Sequence, residues 1–384
     1  MPKINISQNI NKLYIKNNGS VLGPYYKNVK QMFNQVNRNH QVAVALSGGV
    51  DSSVAAALLL EQGFAVWGVH LRLSPYAPPV EHLAALGHSL GIQITEMDLE
   101  DDFARGVLDY FIKEYSRGRT PNHCVHCNAV IKFGRLWERV REAGASHLAT
   151  GHYARRLTGP DGGPGLYRGA DRRKDQSYFL SRLDRTVLPH LLFPLGELTK
   201  TKVRRRYQEM GLPPAPDCRE SVELCFIPQG GYQEFIAARL GRPGAPGEMV
   251  DTRGRVLGLH KGLEHYTVGQ RRGLGVPARE PYYVVDLRPE TNRVVLGHKQ
   301  ELFSAGLLAR QVNWLVDPPP GELSARAVIR YRHPGVPARI TPLGSTEAQV
   351  IFDSPQAAVA PGQAVVFYHN DQVLGGGWIE ERIM

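Results

Sequence analysis

Four cysteines in 384 residues, Cys124, Cys127, Cys218 and Cys225, are too few for the disulfide framework of a small secreted domain. Their grouping in two clusters points instead to metal or redox chemistry. No apolar run is long enough to cross a bilayer, and the first residues show neither a basic-then-apolar signal pattern nor an Arg/Ser-rich amphipathic one. A cytoplasmic protein with no membrane partner is the default expectation. Acidic residues are in deficit: 46 Lys and Arg against 36 Asp and Glu leave a net charge of +10 and a pI near 9.4, which suits a polyanionic partner. The basic residues cluster at Arg155-Arg156, Arg172-Arg173-Lys174, Lys200 to Arg206 and Arg271-Arg272. Such clusters attach in a salt-dependent way to a phosphate backbone, although a solvated helix face accounts equally well for any one of them.

What is present is most informative at Leu46-Ser47-Gly48-Gly49-Val50-Asp51-Ser52-Ser53. The β-branched run Gln41 to Leu46 leads into this glycine-rich turn, and the strong helix formers Ser53 to Gln62 follow it, with Gly63 placed to end the helix. A turn so placed sits at a helix N-terminus, where free N–H groups and the positive end of the dipole favour an anion. Gly48 and Gly49 leave room for a pyrophosphate, and Ser47, Ser52 and Ser53 add hydroxyl donors. The Gly-Lys-Ser/Thr ending of a Walker loop is missing, so no lysine in the turn itself reaches the terminal phosphates. Asp51 would repel bare phosphate and suits a metal ion or a sugar hydroxyl. A tight turn that binds nothing is the bland alternative.

The length predicts two or three domains. Residues 1–40 are rich in asparagine and lysine, carry a single arginine, Arg38, and read as an extension outside the fold. From 41 to about 200 the pattern alternates: strands at 41–46, 64–71, 92–97 and 146–150, helices at 53–62, 80–90, 101–116 and 127–143. Alternation means an α/β fold with a parallel sheet wrapped by helices, its ligands beyond the C-terminal strand ends. Pro213 to Pro216 and Gly241 to Gly247 are breakers. Beyond them, short β-type runs at 282–287, 293–296, 326–331, 349–352 and 364–368 predict two small, mainly antiparallel β domains, the last a β-barrel. The divisions expected are 1–40, 41–235, 236–305 and 306–384.

Thr120 to Asn128 forms a turn ahead of a helix, which would place Cys127 near a helix N-terminus with its thiol pKa lowered by the dipole. Zinc is the competing reading, since Cys124, Cys127, His123 and His126 are all possible ligands, and a buried inert thiol is the third. The segment Glu220 to Pro228 carries the second cysteine cluster's Cys225.

Taken together these segments resemble the tRNA-specific 2-thiouridylases of bacteria and mitochondria, within the PP-loop ATP pyrophosphatase superfamily (adenine nucleotide alpha hydrolase-like). The resemblance runs from about Val42 to the C-terminus. Its markers include Ser47 to Ser53, Gly118 to Asn122, Cys127-Asn128 with Ile131 to Gly134, Ala149 to Ala154, Lys174 to Leu180 and Phe193 to Gly196. Further along come His265 to Arg271, Arg330-Tyr331, Pro361 to Gln363 and Leu374 to Gly377.

The resemblance implies ATP, with Mg2+, on Ala45, Leu46, Ser47, Gly48, Gly49, Val50, Asp51 and Ser52, with Leu71 and Gly151 lining the pocket and no metal held by the protein alone. It implies adenylation of the ring-position-2 oxygen of a wobble uridine. Cys225 carries sulfur as a persulfide from a relay protein, and Cys127 is the nucleophile that resolves it, leaving a Cys127–Cys225 disulfide for a reductant to open. Asn122, His123 and Cys124 take the place of the target-base contacts. His152, Lys174, Asp175, Gln176, Arg330, Tyr331 and Gln363 match tRNA contacts, the substrates being the tRNAs for Lys, Glu and Gln. The chain departs from the family at His123, where proline is usual, and at Val222 and Leu224. Position 124 is aspartate in some relatives and cysteine in others. The rival readings are an adenylating PP-loop ligase that uses no nucleic acid, and a zinc-bearing RNA-binding module.

Overall fold

The computed structural model describes residues 41–74, 81–215, 224–227, 231–240 and 244–384. The expected extension at 1–40, Cys218 and the departure at Val222 lie outside them. Five parallel strands form the first sheet, in the order β3-β2-β1-β4-β7: β1 (Gln41–Ala45), β2 (Ala65–Arg72), β3 (Ile94–Asp98), β4 (His147–Ala149) and β7 (Leu191–Leu192). Val42, Ala43 and Val44 of the central strand are wholly buried, as a strand covered on both faces requires. Helix α1 (Val50–Glu61) follows β1, and its residues Ser52 to Leu58 and Leu59 are all buried, so this helix is packed round its circumference rather than on one stripe. Helices α2 (Glu81–Leu90), α3 (residues 100–116) and α4 (residues 123–142) complete the wrapping. Both α3 and α4 contain a π-helical stretch, Ala104–Leu108 and Asn128–Arg135, a feature that recurs at functional sites.

A second, four-stranded sheet has the order β10-β11-β8-β9, from β8 (Gly247–Asp251), β9 (Val256–His260), β10 (Tyr283–Arg288) and β11 (Arg293–Gly297). It is mixed rather than purely antiparallel, because β11 runs parallel to β8. The long connection from residue 261 to 282 supplies the crossover that a parallel pair needs.

The last sheet closes on itself: β12 (Phe303–Trp314), β15 (Glu347–Ala357), β14 (Val336–Pro342), β13 (Leu323–Val328), β16 (Ala364–His369) and β17 (Gln372–Ile383), with β17 pairing back to β12. Closure leaves no free edge within the ring. The hairpin of β5 (Ala154–Thr158) and β6 (Pro164–Arg168), which follows the parallel sheet's β4, joins this last sheet where Tyr167 pairs with Gln372 of β17. The run read as a strand to residue 331 stops at Val328, which leaves Arg330 and Tyr331 in the turn beyond it.

The barrel is docked against the loop that precedes α4. Thr120 N–H donates to the Pro361 carbonyl at 2.8 Å, and Arg119 pairs with Glu114 at 2.7 Å and with Glu380 at 2.9 Å. The barrel therefore buttresses the start of the cysteine-bearing helix. Among the described residues no helix is long and apolar enough to cross a membrane.

Candidate active site

Ala45 ends β1, and Leu46 to Gly49 turn the chain into α1. Gly49 is the N-cap in extended conformation and offers no side-chain cap, so the helix's first N–H groups are not claimed by a capping side chain. Gly48 has φ of 76°, a left-handed conformation that suits glycine. The serines define the cradle's shape: Ser52 Oγ donates to the Gly49 carbonyl at 3.1 Å and accepts from Ser47 N–H at 3.2 Å, and Ser53 Oγ donates to the same carbonyl at 3.0 Å. Gly151 lies just past β4 against this turn. A β-carbon there would stand 2.9 Å from Ser52 N and 3.0 Å from the Asp51 carbonyl carbon. Leu71 sits near the C-terminal end of β2, the neighbour of β1.

Asp51, in the first turn of α1, is held by groups that pattern reading missed. Lys200 Nζ lies 2.8 and 2.7 Å from its two carboxylate oxygens, and the Tyr153 hydroxyl donates to Oδ1 at 2.8 Å. Lys200 opens helix α5 (Lys200–Glu209), which packs beside α1. The sequence signalled only a basic cluster at 200–206 and a tyrosine within a marker.

The cysteine helix corrects one expectation. Asn122 caps it, its side-chain oxygen accepting from Val125 N–H at 3.2 Å, so α4 begins at His123 and Cys127 sits a full turn inside. Burial then decides the thiol's chemistry. Cys127 is 8% exposed and burial pushes its pKa up to about 12, where the dipole argument had it lowered; Cys124 is exposed at the surface, yet the protein packed around its sulfur pushes its pKa up to about 11. The Cys225 thiol is raised too, by desolvation from the protein around it although the residue is exposed, and Lys132 opposes the rise at all three sulfurs. Lys132 belongs to a marker segment, but nothing in the sequence placed its charge beside the thiols. Phe226, next to Cys225, packs its ring 5.6 Å from that of His123, next to Cys124, so the distant loop is brought to the helix. All three of these thiols are free. Among the described residues no three His, Cys, Asp or Glu side chains converge in a way that could hold a metal ion.

Phe226 pins the Cys225 segment. Its ring meets Phe103 and Phe111 of α3, His123 of α4 and Phe235 of α6 (Tyr232–Leu240) at centroid separations of 5.4 to 5.7 Å. His123 Nε2 lies 3.3 Å from Cys124 Sγ, and burial lowers the His123 pKa to about 4, leaving a neutral ring. His152, hydrogen-bonded to Thr150 Oγ1 at 2.8 Å, is lowered to about 3, chiefly by burial and further by Lys132.

Gln363, distant in sequence and matched above only to a tRNA contact, lies at the helix start. Its Oε1 accepts from Asn122 Nδ2 at 3.3 Å and its Nε2 donates to the Thr120 carbonyl at 3.1 Å. Tyr331 packs 4.5 Å from the Phe179 ring, and the Phe179 carbonyl accepts from Asn128 Nδ2 at 3.1 Å. Exposed Arg330 donates to the Ala357 carbonyl at 3.2 Å. Asp175 is 9% exposed and accepts from Gly169 N–H, Ser177 N–H and Arg168. Gln176 accepts from Tyr153 N–H, while partly buried Lys174 shares its turn.

Three family models match the chain: the tRNA methyl transferase HUP domain over residues 40–229, the tRNA methyl transferase PRC-barrel domain over 233–298 and the aminomethyltransferase beta-barrel domain over 304–379. The chain is 46% identical over 361 residues to the tRNA-specific 2-thiouridylase MnmA of Carboxydothermus hydrogenoformans, covering 89% of this chain and 98% of that protein. It is 46% identical over 356 residues to the enzyme of that name from Geobacter metallireducens, covering 88% and 96%. A crystal structure of a 4-thiouridine synthetase–RNA complex with bound ATP aligns at TM-score 0.30 and 18% identity, over 45% of this chain and 41% of that one.

Proposed function

The chain belongs to the tRNA-specific 2-thiouridylases, a family of sulfurtransferases, and from that premise we propose that it thiolates the wobble uridine of tRNA at ring position 2, consuming ATP. The observation that supports the mechanism is the packing of the Cys225 segment, through Phe226, against His123 at the start of the Cys124–Cys127 helix, on the same compact unit as the glycine-rich anion cradle.

ATP lies on Ala45 to Ser52, with Leu71 and Gly151 lining its pocket. The uridine oxygen at ring position 2 attacks the α-phosphorus, the bond to the bridging oxygen breaks, and pyrophosphate leaves. The ring carbon now carries AMP as leaving group. Cys225 holds a persulfide delivered by a sulfur-relay protein. The Cys127 thiolate attacks the inner sulfur of that persulfide, forming a Cys127–Cys225 disulfide and releasing the outer sulfur as hydrosulfide. Hydrosulfide adds to the activated carbon and expels AMP. A reductant then returns the disulfide to two thiols. Burial holds Cys127 as a thiol at neutral pH, so Lys132 is the group that favours its ionisation when the site engages substrate. Asp51 is a carboxylate suited to a Mg2+ ion arriving with ATP, whose chemistry is to offset phosphate charge.

Asn122, His123 and Cys124 contact the target base, which an anticodon loop presents unpaired at little cost. Lys174, His152, Arg330, Tyr331 and Gln363 contact the tRNA, while Asp175 and Gln176 shape the turn that carries Lys174. The substrates are the tRNAs for Lys, Glu and Gln, met in the cytoplasm. The chain divides at 41–235, 236–305 and 306–384, with 1–40 an extension.

The test is nucleoside mass spectrometry of wobble-uridine tRNA after incubation with protein, ATP and a persulfide donor. Cys225→Ser should abolish 2-thiouridine and leave tRNA affinity nearly unchanged, because phosphate contacts dominate such an interface. Thiolation that survives in Cys225→Ser refutes the persulfide role. ATP turnover indifferent to tRNA favours the ligase reading.

A further inference from the structure

We infer that Asp371, at the tip of the barrel's β16–β17 hairpin, is a positioning residue for tRNA recognition: it clasps Arg172 and thereby sets the turn that carries Lys174. The inference rests on the reading of Lys174 as a tRNA contact.

The turn at 171–176 is fixed at its base by neighbours in the first half of the chain. Gly169 and Ser177 N–H both donate to Asp175 Oδ1, at 2.9 and 3.1 Å. Ala170 N–H donates to the Gly196 carbonyl at 2.8 Å, and Gln176 N–H to the Tyr153 carbonyl at 2.9 Å. Asp171 closes the tip locally: its carbonyl accepts from Lys174 N–H at 3.0 Å and its Oδ1 from Arg173 N–H at 3.1 Å. Those bonds set the curl of the chain. The lean of the tip is set from the barrel.

The β16–β17 loop is only two residues long, Asn370 and Asp371, because His369 pairs with Gln372 across it. Asn370 has φ of 51°, a left-handed conformation that asparagine tolerates. The Asp371 carboxylate takes a guanidinium on each oxygen: Arg172 Nη2 lies 2.5 Å from Oδ1 and Arg155 Nη2 lies 2.9 Å from Oδ2. Its carbonyl accepts from Arg168 N–H at 2.8 Å, and Arg155 Nε donates to the Arg168 carbonyl at 2.6 Å. Arg168 lies 3.7 Å over the Tyr368 ring of β16 and donates to Asp175 Oδ2 at 3.2 Å. The hairpin thus holds the turn twice, at its base through Arg168 and at its tip through Arg172.

Arg172 is 51% exposed, and an ion pair at that exposure adds little to stability. What the clasp supplies is geometry. Phosphate contacts fix the register of a nucleic acid on its protein, so the place of Lys174 matters as well as its charge. Arg330, Tyr331 and Gln363 lie on the barrel side and Lys174 on the other; the clasp keeps these contacts to one tRNA in a common frame.

Filter binding of unmodified wobble-uridine tRNA to the full chain, at fixed salt, separates position from charge. Asp371→Asn removes a negative charge from a chain of net charge +10, so long-range attraction alone would tighten tRNA binding. Loss of position predicts the opposite, about tenfold weaker binding, the worth of one hydrogen bond to a charged group. Asp371→Glu, whose carboxylate still reaches both guanidinium groups, should bind close to wild type. In a Lys174→Ala background Asp371→Asn should cost less than about twofold, because the contact it positions is already gone. In the thiolation assay the loss should fall on the tRNA KM, with kcat at saturating tRNA retained. Undiminished tRNA binding by Asp371→Asn where Lys174→Ala binds weakly, or fully additive losses in the double variant, overturns the inference and leaves the Lys174 reading standing. A Lys174→Ala chain that binds tRNA as wild type does refutes that reading and the inference with it. Should Asp371→Asn not fold, Arg172→Met opens the same clasp from the other side and enters the same cycle.

Discussion

Removing the Phe226 ring should release the Cys225 segment while leaving the rest of the fold in place. Phe226 is 3% exposed and touches aromatic rings from α3, α4 and α6, so it is the element that ties residues 224–227 to the cysteine helix. Phe→Ala at such a site costs about 3–5 kcal/mol, the transfer of the ring plus the cavity left among its neighbours. If about 3 kcal/mol of that falls on the attachment of the segment, an attachment worth about 1.5 kcal/mol in the parent is inverted and the attached fraction drops roughly tenfold. A disulfide needs Cα atoms within about 7 Å, so the rate at which Cys225 finds Cys127 should fall with the attached fraction. The assay is oxidant-driven disulfide formation, followed by peptide mass spectrometry in a Cys124→Ser background that removes the competing thiol. Phe226→Ala should cross-link at least tenfold more slowly than the parent, and Phe226→Leu, which keeps most of the volume, should lie close to it. Cross-linking of a natively folded Phe226→Ala at the parental rate would refute the idea that this ring positions the loop.

Two further outcomes follow from the same geometry. Gly151→Ala places a β-carbon 2.9 Å from Ser52 N and 3.2 Å from the Asp51 carbonyl oxygen, backbone atoms that can give way only by moving the start of α1. Overpacking of about 1–3 kcal/mol, if it falls on the cradle, should appear as roughly a five- to hundredfold weaker ATP affinity by titration, with tRNA affinity in filter binding preserved, and undiminished ATP affinity would contradict it. Acid should destabilise the protein through His123 and His152. Their folded pKa values, about 4 and about 3, lie below the unfolded value near 6.5, so the unfolded chain binds more protons in that window. Stability is then complete above about pH 7 and lost as pH falls, by about 2 kcal/mol per ring at pH 5. Urea midpoints measured at pH 7 and pH 5 check this, and His123→Gln should lessen the difference; equal midpoints would show that the rings are not buried neutral.

Local pattern determined a good deal. The apolar run at 41–46, the glycines that follow and the alanine-rich helix beyond could form little other than a strand, an anion-binding turn and a helix, and β1 and α1 lie within a few residues of where they were read. The alternation to residue 150 implied the parallel sheet, because a strand followed by a helix must return in the same direction to pair with its neighbour. The barrel was legible as a class. Its closing strand was less so: Gly375 to Gly377 served only as a family marker, yet they lie inside β17, where pairing to both β16 and β12 uses only backbone groups.

Tertiary structure decided the rest, wherever a property depends on partners that no sequence interval announces. The Cys127 thiol illustrates this: the dipole argument uses only nearby residues, whereas desolvation sums everything packed around the sulfur, and it outweighs the dipole. Lys200 beside Asp51, Gln363 beside Asn122 and Lys132 beside three sulfurs are likewise contacts set by how helices and sheets stack. Spacing along a chain encodes which face a side chain takes; only packing determines what waits on the other side.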